Sequence, residues 1–84
     1  MNRAQIIYLL VVVAVFFLVN LVGAALITLI EPLNYLDAFY LTMSTSTTVG
    51  YGNVAPETDA GKMFLSFFQI LPIGLFFYGI GLVF

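Results

Sequence analysis

From Ala4 to Ile30 the chain carries no charged residue, and after Lys62 none appears again through Phe84. As helices these two runs would measure about 40 Å and about 33 Å, against a bilayer hydrocarbon core of about 30 Å. Each is long enough to cross, the first with some tilt or with its ends outside the core. Between them the pattern changes. Leu36 to Thr47 mixes apolar side chains with five serines and threonines (Thr42, Ser44, Thr45, Ser46, Thr47). That stretch is too short and too polar to cross alone, so it reads as a re-entrant helix. The order is span, short turn, re-entrant helix, loop, span, with boundaries near 4–30, 35–47, 48–52 and 59–84. It is a single unit covering residues 1–84, without repeats or linkers.

The ends of these elements are marked. Glu31-Pro32 closes the first span, because the residue before a proline is pushed out of helical geometry. Asn34, with Asp37 at the third helical position, caps the second helix. Thr58 caps the last one, with Asp59 at its positive end. Pro72 removes a backbone donor and clashes with the carbonyl of Phe68, so a kink is expected there.

The loop Thr48-Val49-Gly50-Tyr51-Gly52 carries the candidate chemistry. For successive carbonyls to line one side of a strand, alternate residues must take backbone angles that side chains disfavour. Gly50 and Gly52 supply them without steric cost. Val49 and Tyr51 can then point away and wedge against neighbouring helix, and Thr48 can add its hydroxyl as one more oxygen. Irregular backbone of this kind survives at membrane depth only where it is buried in protein or lines a cavity.

Composition narrows the class. Hydrophobic residues make up 63% of the 84 and charged residues 7%, where a soluble domain carries about 25% charged. A soluble fold of this size could not cover so much apolar surface, so this is a membrane protein. Cysteine and histidine are absent. That removes disulfides, thiolate metal sites and any evident acid–base pair, and with them an enzyme or a cofactor. A net charge of −2 with two cationic residues speaks against nucleic acid as a partner. The uncharged N-terminal run is longer than the roughly 7–15 residues of a signal peptide's apolar region, so it is expected to stay as a membrane helix.

Residues 34–62 resemble the pore loop of potassium channels, and the flanking runs resemble the two helices of the two-transmembrane pore module. The run Thr45-Ser46-Thr47-Thr48-Val49-Gly50-Tyr51-Gly52-Asn53 carries the similarity, and Pro56, Thr58 and Gly61-Lys62 continue it. At this size the chain is most similar to small viral channels and prokaryotic pore modules, while Gly50 to Pro56 also resembles a loop of two-pore-domain channels. The resemblance implies an all-α membrane protein, two transmembrane helices flanking a re-entrant pore helix and filter loop. It implies a homotetramer in a lipid bilayer, both chain ends on the cytoplasmic side, in a cell membrane or, for a viral chain, a host membrane. It implies no cofactor beyond permeant potassium ions, held by Thr48, Val49, Gly50 and Tyr51 and entering at Gly52. A non-selective monovalent cation channel and a non-conducting regulatory membrane protein stand as alternatives. Tyr51 argues for potassium, since non-selective relatives commonly replace it.

Two positions depart from the family pattern. Asn53 stands where many members carry aspartate just outside the filter, and Pro72 stands where many carry a hinge glycine, with Gly74 close behind. Ser44, Thr47 and Asn53 are candidates for supporting the filter. For Ser44 the competing reading is a hydroxyl bonded to its own helix. Pro72, Gly74, Gly79 and Gly81 are candidates for a bend that serves gating, and the glycines equally for close helix packing. Gln69 is costly inside a span unless it meets water or a partner, and is expected on the cavity or against the filter helix. The acids Glu31, Asp37, Glu57 and Asp59 lie between the two spans and, repeated around a tetramer, would draw cations. For Asp37 and Asp59 helix capping is sufficient reason, which leaves Glu57 freer to contribute to the field. The phenylalanines Phe64, Phe67, Phe68, Phe76 and Phe77 are expected between helices or against lipid.

Overall fold

The computed structural model describes residues 1–84 and contains four helices and no strand. Helix α1 spans Arg3–Ile30, α2 Tyr35–Ser46, α3 Asp59–Phe68 and α4 Ile70–Val83. The molecule is a rod, 45 × 19 × 18 Å, set by the length of α1. Two segments are long and apolar enough to cross a membrane: Arg3–Ile30, and α3 with α4 taken together, Asp59–Val83. The chain is a membrane protein.

The caps explain where the elements begin. Asn2 Oδ1 accepts from the Gln5 backbone N–H at 2.8 Å while Gln5 Oε1 accepts from that of Asn2 at 3.0 Å, a reciprocal box opening α1. Asn34 Oδ1 accepts from the Asp37 N–H at 2.8 Å, so α2 starts at Tyr35. Thr58 Oγ1 accepts from the Gly61 N–H at 2.9 Å and opens α3. The kink expected at Pro72 takes the form of a break at Gln69, three residues earlier, where φ is −70° and ψ −12°. Pro72 has no N–H for the carbonyl one turn back, so the turn ending at Phe68 is left loose.

Helix α1 is the spine against which α2 and the α3–α4 arm pack. Ala24, Ile27, Ala38 and Leu41 form the core where the three meet, with Leu33, Phe39, Val54, Phe64 and Leu65 against it. Small residues allow that approach. A Cβ on Gly23 would lie 2.6 Å from the Phe68 ring, which itself stacks on Phe64 at 4.8 Å between centroids. Only 14 of the 84 residues are buried in a single chain. Most apolar surface is therefore left for lipid or for further copies. Restoring the missing donor should tighten the arm: Pro72→Ala is expected to join α3 and α4 into one helix and to add up to about 3 kcal/mol to its stability. Slower amide exchange at residues 69–73, with a higher melting temperature in detergent, is the check.

Candidate functional site

The re-entrant helix α2 ends at Ser46, and the chain then doubles back over its carboxyl end. Thr47 N–H reaches the carbonyls of Met43 and Thr45, and Thr48 N–H reaches that of Thr45 at 3.1 Å. Gly50 N–H donates to the Ser44 carbonyl at 3.0 Å. The last turn of a helix leaves carbonyls without partners, and here the loop's own N–H groups satisfy them. That choice has a geometric consequence. All peptide bonds are trans, so an N–H turned toward α2 sends the carbonyl of the same peptide unit the opposite way. Val49 C=O, bonded to the Gly50 nitrogen, therefore faces away from α2.

The loop backbone alternates. Thr48, Gly50 and Gly52 have positive φ, at 67°, 57° and 80°, while Val49 and Tyr51 between them do not. The two glycines stand where the alternation calls for them. Thr48 is the residue sequence reasoning missed, because a β-branched side chain is a rare occupant of that region. Its hydroxyl donates to the Thr47 carbonyl at 2.6 Å. None of the carbonyls of Thr48, Val49, Gly50, Tyr51 and Gly52 accepts a hydrogen bond from within the chain. Five consecutive backbone acceptors thus have no hydrogen-bond partner inside the protomer.

Side-chain contacts hold the loop at its C-terminal end. Tyr51 stacks on Tyr40 of α2, with ring centroids 5.8 Å apart and planes 10° apart. Tyr40 in turn donates its hydroxyl to Asn53 Oδ1 at 3.0 Å. Asn53 thus engages α2 as a neutral acceptor. Ser44 Oγ donates to the Leu41 carbonyl at 3.1 Å within its own helix, so the contribution of Ser44 to the loop is its carbonyl. Thr47 Oγ1 likewise donates to Met43 at 2.8 Å. Val49 is half exposed in the single chain.

Farther away, Glu31 follows the end of α1 and is almost fully buried. Its carboxylate accepts from the Glu57 N–H at 2.5 Å, the Thr58 N–H at 3.0 Å and the Thr58 hydroxyl. The hydroxyl bond, then the backbone bonds, with Lys62 nearby, hold its pKa below the ordinary 4.5 of a glutamate. A Cβ on Gly61 would come within 2.7 Å of the Glu31 carboxyl carbon, so only glycine leaves room for it. Glu31 therefore ties the C-terminal end of α1 to the start of α3. Gly74 and Gly81 have open space beside them, and a Cβ on Gly79 would stand 3.5 Å from Val12 of α1. The sequence candidates for a bend thus sit on a helix that is broken at Gln69, with Pro72 buried beneath.

A family model described as "Ion channel" matches residues 6–84. The chain is 56% identical over 34 residues to a hyperpolarization-activated voltage-gated potassium channel of Methanocaldococcus jannaschii, covering 40% of this chain and 16% of the relative. It is 50% identical over 44 residues to two pore potassium channel c of Oryza sativa subsp. japonica, covering 52% and 10%. It is 41% identical over 46 residues to potassium channel subfamily U member 1 of Macaca fascicularis, covering 55% and 4%. The chain thus spans less than a fifth of the length of these curated relatives. No solved structure gave a significant match. With a family match running nearly end to end over two membrane-length helices and the loop between them, the chain belongs to the ion channel family.

Proposed function

We propose that this chain is the pore-forming unit of a potassium-selective channel, assembled as a homotetramer in a lipid bilayer. The observation that carries this reading is the run of five backbone carbonyls without a partner in the chain, Thr48 to Gly52, on backbone that alternates through positive φ. A single strand cannot surround an ion. Four related by a common axis can replace a permeant ion's hydration shell with rings of backbone oxygen. The matched relatives carry the name of potassium channel, which favours that ion.

In this reading an ion sheds water at the Gly52 end and passes the carbonyl rings of Tyr51, Gly50, Val49 and Thr48, with the Thr48 hydroxyl as the innermost oxygen. Neighbouring ions repel one another onward, so that favourable binding does not become a trap. The carboxyl end of α2, with its partial negative charge, favours a cation on the inner side. The stacked Tyr40–Tyr51 pair and the Tyr40–Asn53 bond hold the ring width from outside. No bond is made or broken; the chemistry is exchange of ligands around a cation.

Reversal potentials of the purified protein in bilayers with mixed potassium and sodium solutions test this. They should follow the potassium gradient, and Tyr51→Asp should shift them toward the value of a pore that does not discriminate. A wild-type potential midway between the two gradients would instead mark a non-selective cation channel. Absence of flux together with a monomer in mild detergent would mark a non-conducting membrane protein.

A further inference from the structure

Inside the protomer, three polar side chains from three different elements meet with almost no access to solvent or lipid. Asn20 of α1 and Ser46 of α2 are 0% exposed, and Gln69 at the α3–α4 break is 3% exposed. Ser46 Oγ lies 2.7 Å from Asn20 Oδ1, 2.7 Å from the Thr42 carbonyl and 3.0 Å from Gln69 Oε1. Asn20 Nδ2 donates to the Phe16 carbonyl at 2.9 Å, which fixes which way that amide faces. One hydroxyl has one proton for three acceptors, while Gln69 Nε2 is buried without a partner.

Turning the Gln69 amide over resolves both. Nε2 then donates to Ser46 Oγ, and Ser46 keeps its proton for Asn20 or Thr42. The atom left over is a carbonyl oxygen, which is less costly to leave unpaired than an N–H. The cluster is then a closed chain of donors and acceptors running from the spine, through the last residue of the pore helix, to the break in the inner helix. Polar contacts of this kind hold helices together where apolar surface gives no preference between a neighbour and lipid.

We propose that Asn20 and Gln69 are positioning residues for the filter, clamping Ser46 so that Thr47 and Thr48 leave the pore helix in one fixed direction. The proposal rests on the filter reading above. Ser46 stands two residues before Thr48, whose positive φ is held by no glycine, so the chain entering it must be held from outside. The break at Gln69 makes the clamp sensitive to the arm: a swing of α4 about that point pulls on the bond to Ser46.

The test uses Gln69→Leu in the full chain. Leucine fills much the same volume and removes the unpaired buried atom, while Ser46 retains two acceptors, so folding should be preserved. Amide exchange at Thr47, Thr48 and Gly50 should quicken about threefold to tenfold, with the middle of α1 unchanged. Ser46→Ala should do the same. In bilayers, both variants should lower the preference for potassium over sodium. Unchanged exchange at those three amides in both variants, or an equal rise along the whole chain, would overturn the proposal. A wild-type chain that fails to conduct would sink the channel reading alone, since the exchange measurement still decides on the clamp.

Discussion

Gly50→Ala is expected to abolish potassium-selective conduction while leaving the helices intact. At φ 57° the residue sits in the left-handed region, and nothing lies within 4 Å of an added Cβ. The penalty is therefore one of backbone conformation alone, with no clash that a neighbour could relieve. It amounts to roughly 1–2 kcal/mol for each copy, and a four-fold ring would incur it four times. Relaxing that strain turns the peptide unit, which breaks the Gly50–Ser44 bond and aims the Val49 carbonyl elsewhere. Gly74→Ala is the matched control. It too has open space around it, but it lies in α4 at ordinary helical angles, where alanine should stabilise by roughly 0.5–1 kcal/mol. Potassium uptake into liposomes, with circular dichroism to follow helix content, separates the two. Selective uptake through Gly50→Ala protein would refute the assignment of this loop as the filter.

The contrast between these two glycines shows what can be read from sequence. Gly50 and Gly52 announce themselves because they alternate with Val49 and Tyr51 behind a hydroxyl-rich helix. The caps at Asn34 and Thr58 are equally legible, since a cap is a contact across three residues. Pro72 marks a break through its missing donor, although the disturbance falls a turn earlier, at Gln69. What escapes are contacts between distant residues. Glu31 reads as a helix stop and a surface acid, yet its partners are 26 and 27 residues away. Asn20 passes as one polar interruption in an apolar run, and nothing nearby in the chain points to Ser46. Gly23 gives no sign of the Phe68 ring it admits. Thr48 was legible as an oxygen donor but not as a left-handed residue, because local propensity argues against it and only the loop's return over the α2 terminus imposes it. The loop was therefore readable as a motif, while the contacts that hold it in place required the fold.

Glu31 is where that hidden support should weigh most. Its carboxylate collects two backbone N–H groups and the Thr58 hydroxyl, and that same hydroxyl accepts from Gly61 to cap α3. Glu31→Gln cannot reproduce this arrangement. A glutamine offers one carbonyl oxygen, and its NH₂ would face donors where the second carboxylate oxygen had accepted. The C-terminal end of α1 and the start of α3 should loosen, and with them the segment from Asn53 to Thr58 that follows the loop. The expected result is a melting temperature several degrees lower in detergent and a less stable conducting state. The pH dependence carries the same signature. The folded pKa of Glu31 lies below the unfolded one, so its contribution is fully present above the ordinary value of 4.5. It is lost as the pH falls through the lower, folded value, because the folded chain must then bind a proton it had resisted. Wild-type stability should decline across that acidic interval, and the Glu31→Gln protein, already lacking the contribution, should change less over the same range. Parallel declines in the two proteins would mean that some other carboxylate governs acid sensitivity and that the bond from Glu31 to Thr58 holds little of the outer structure together.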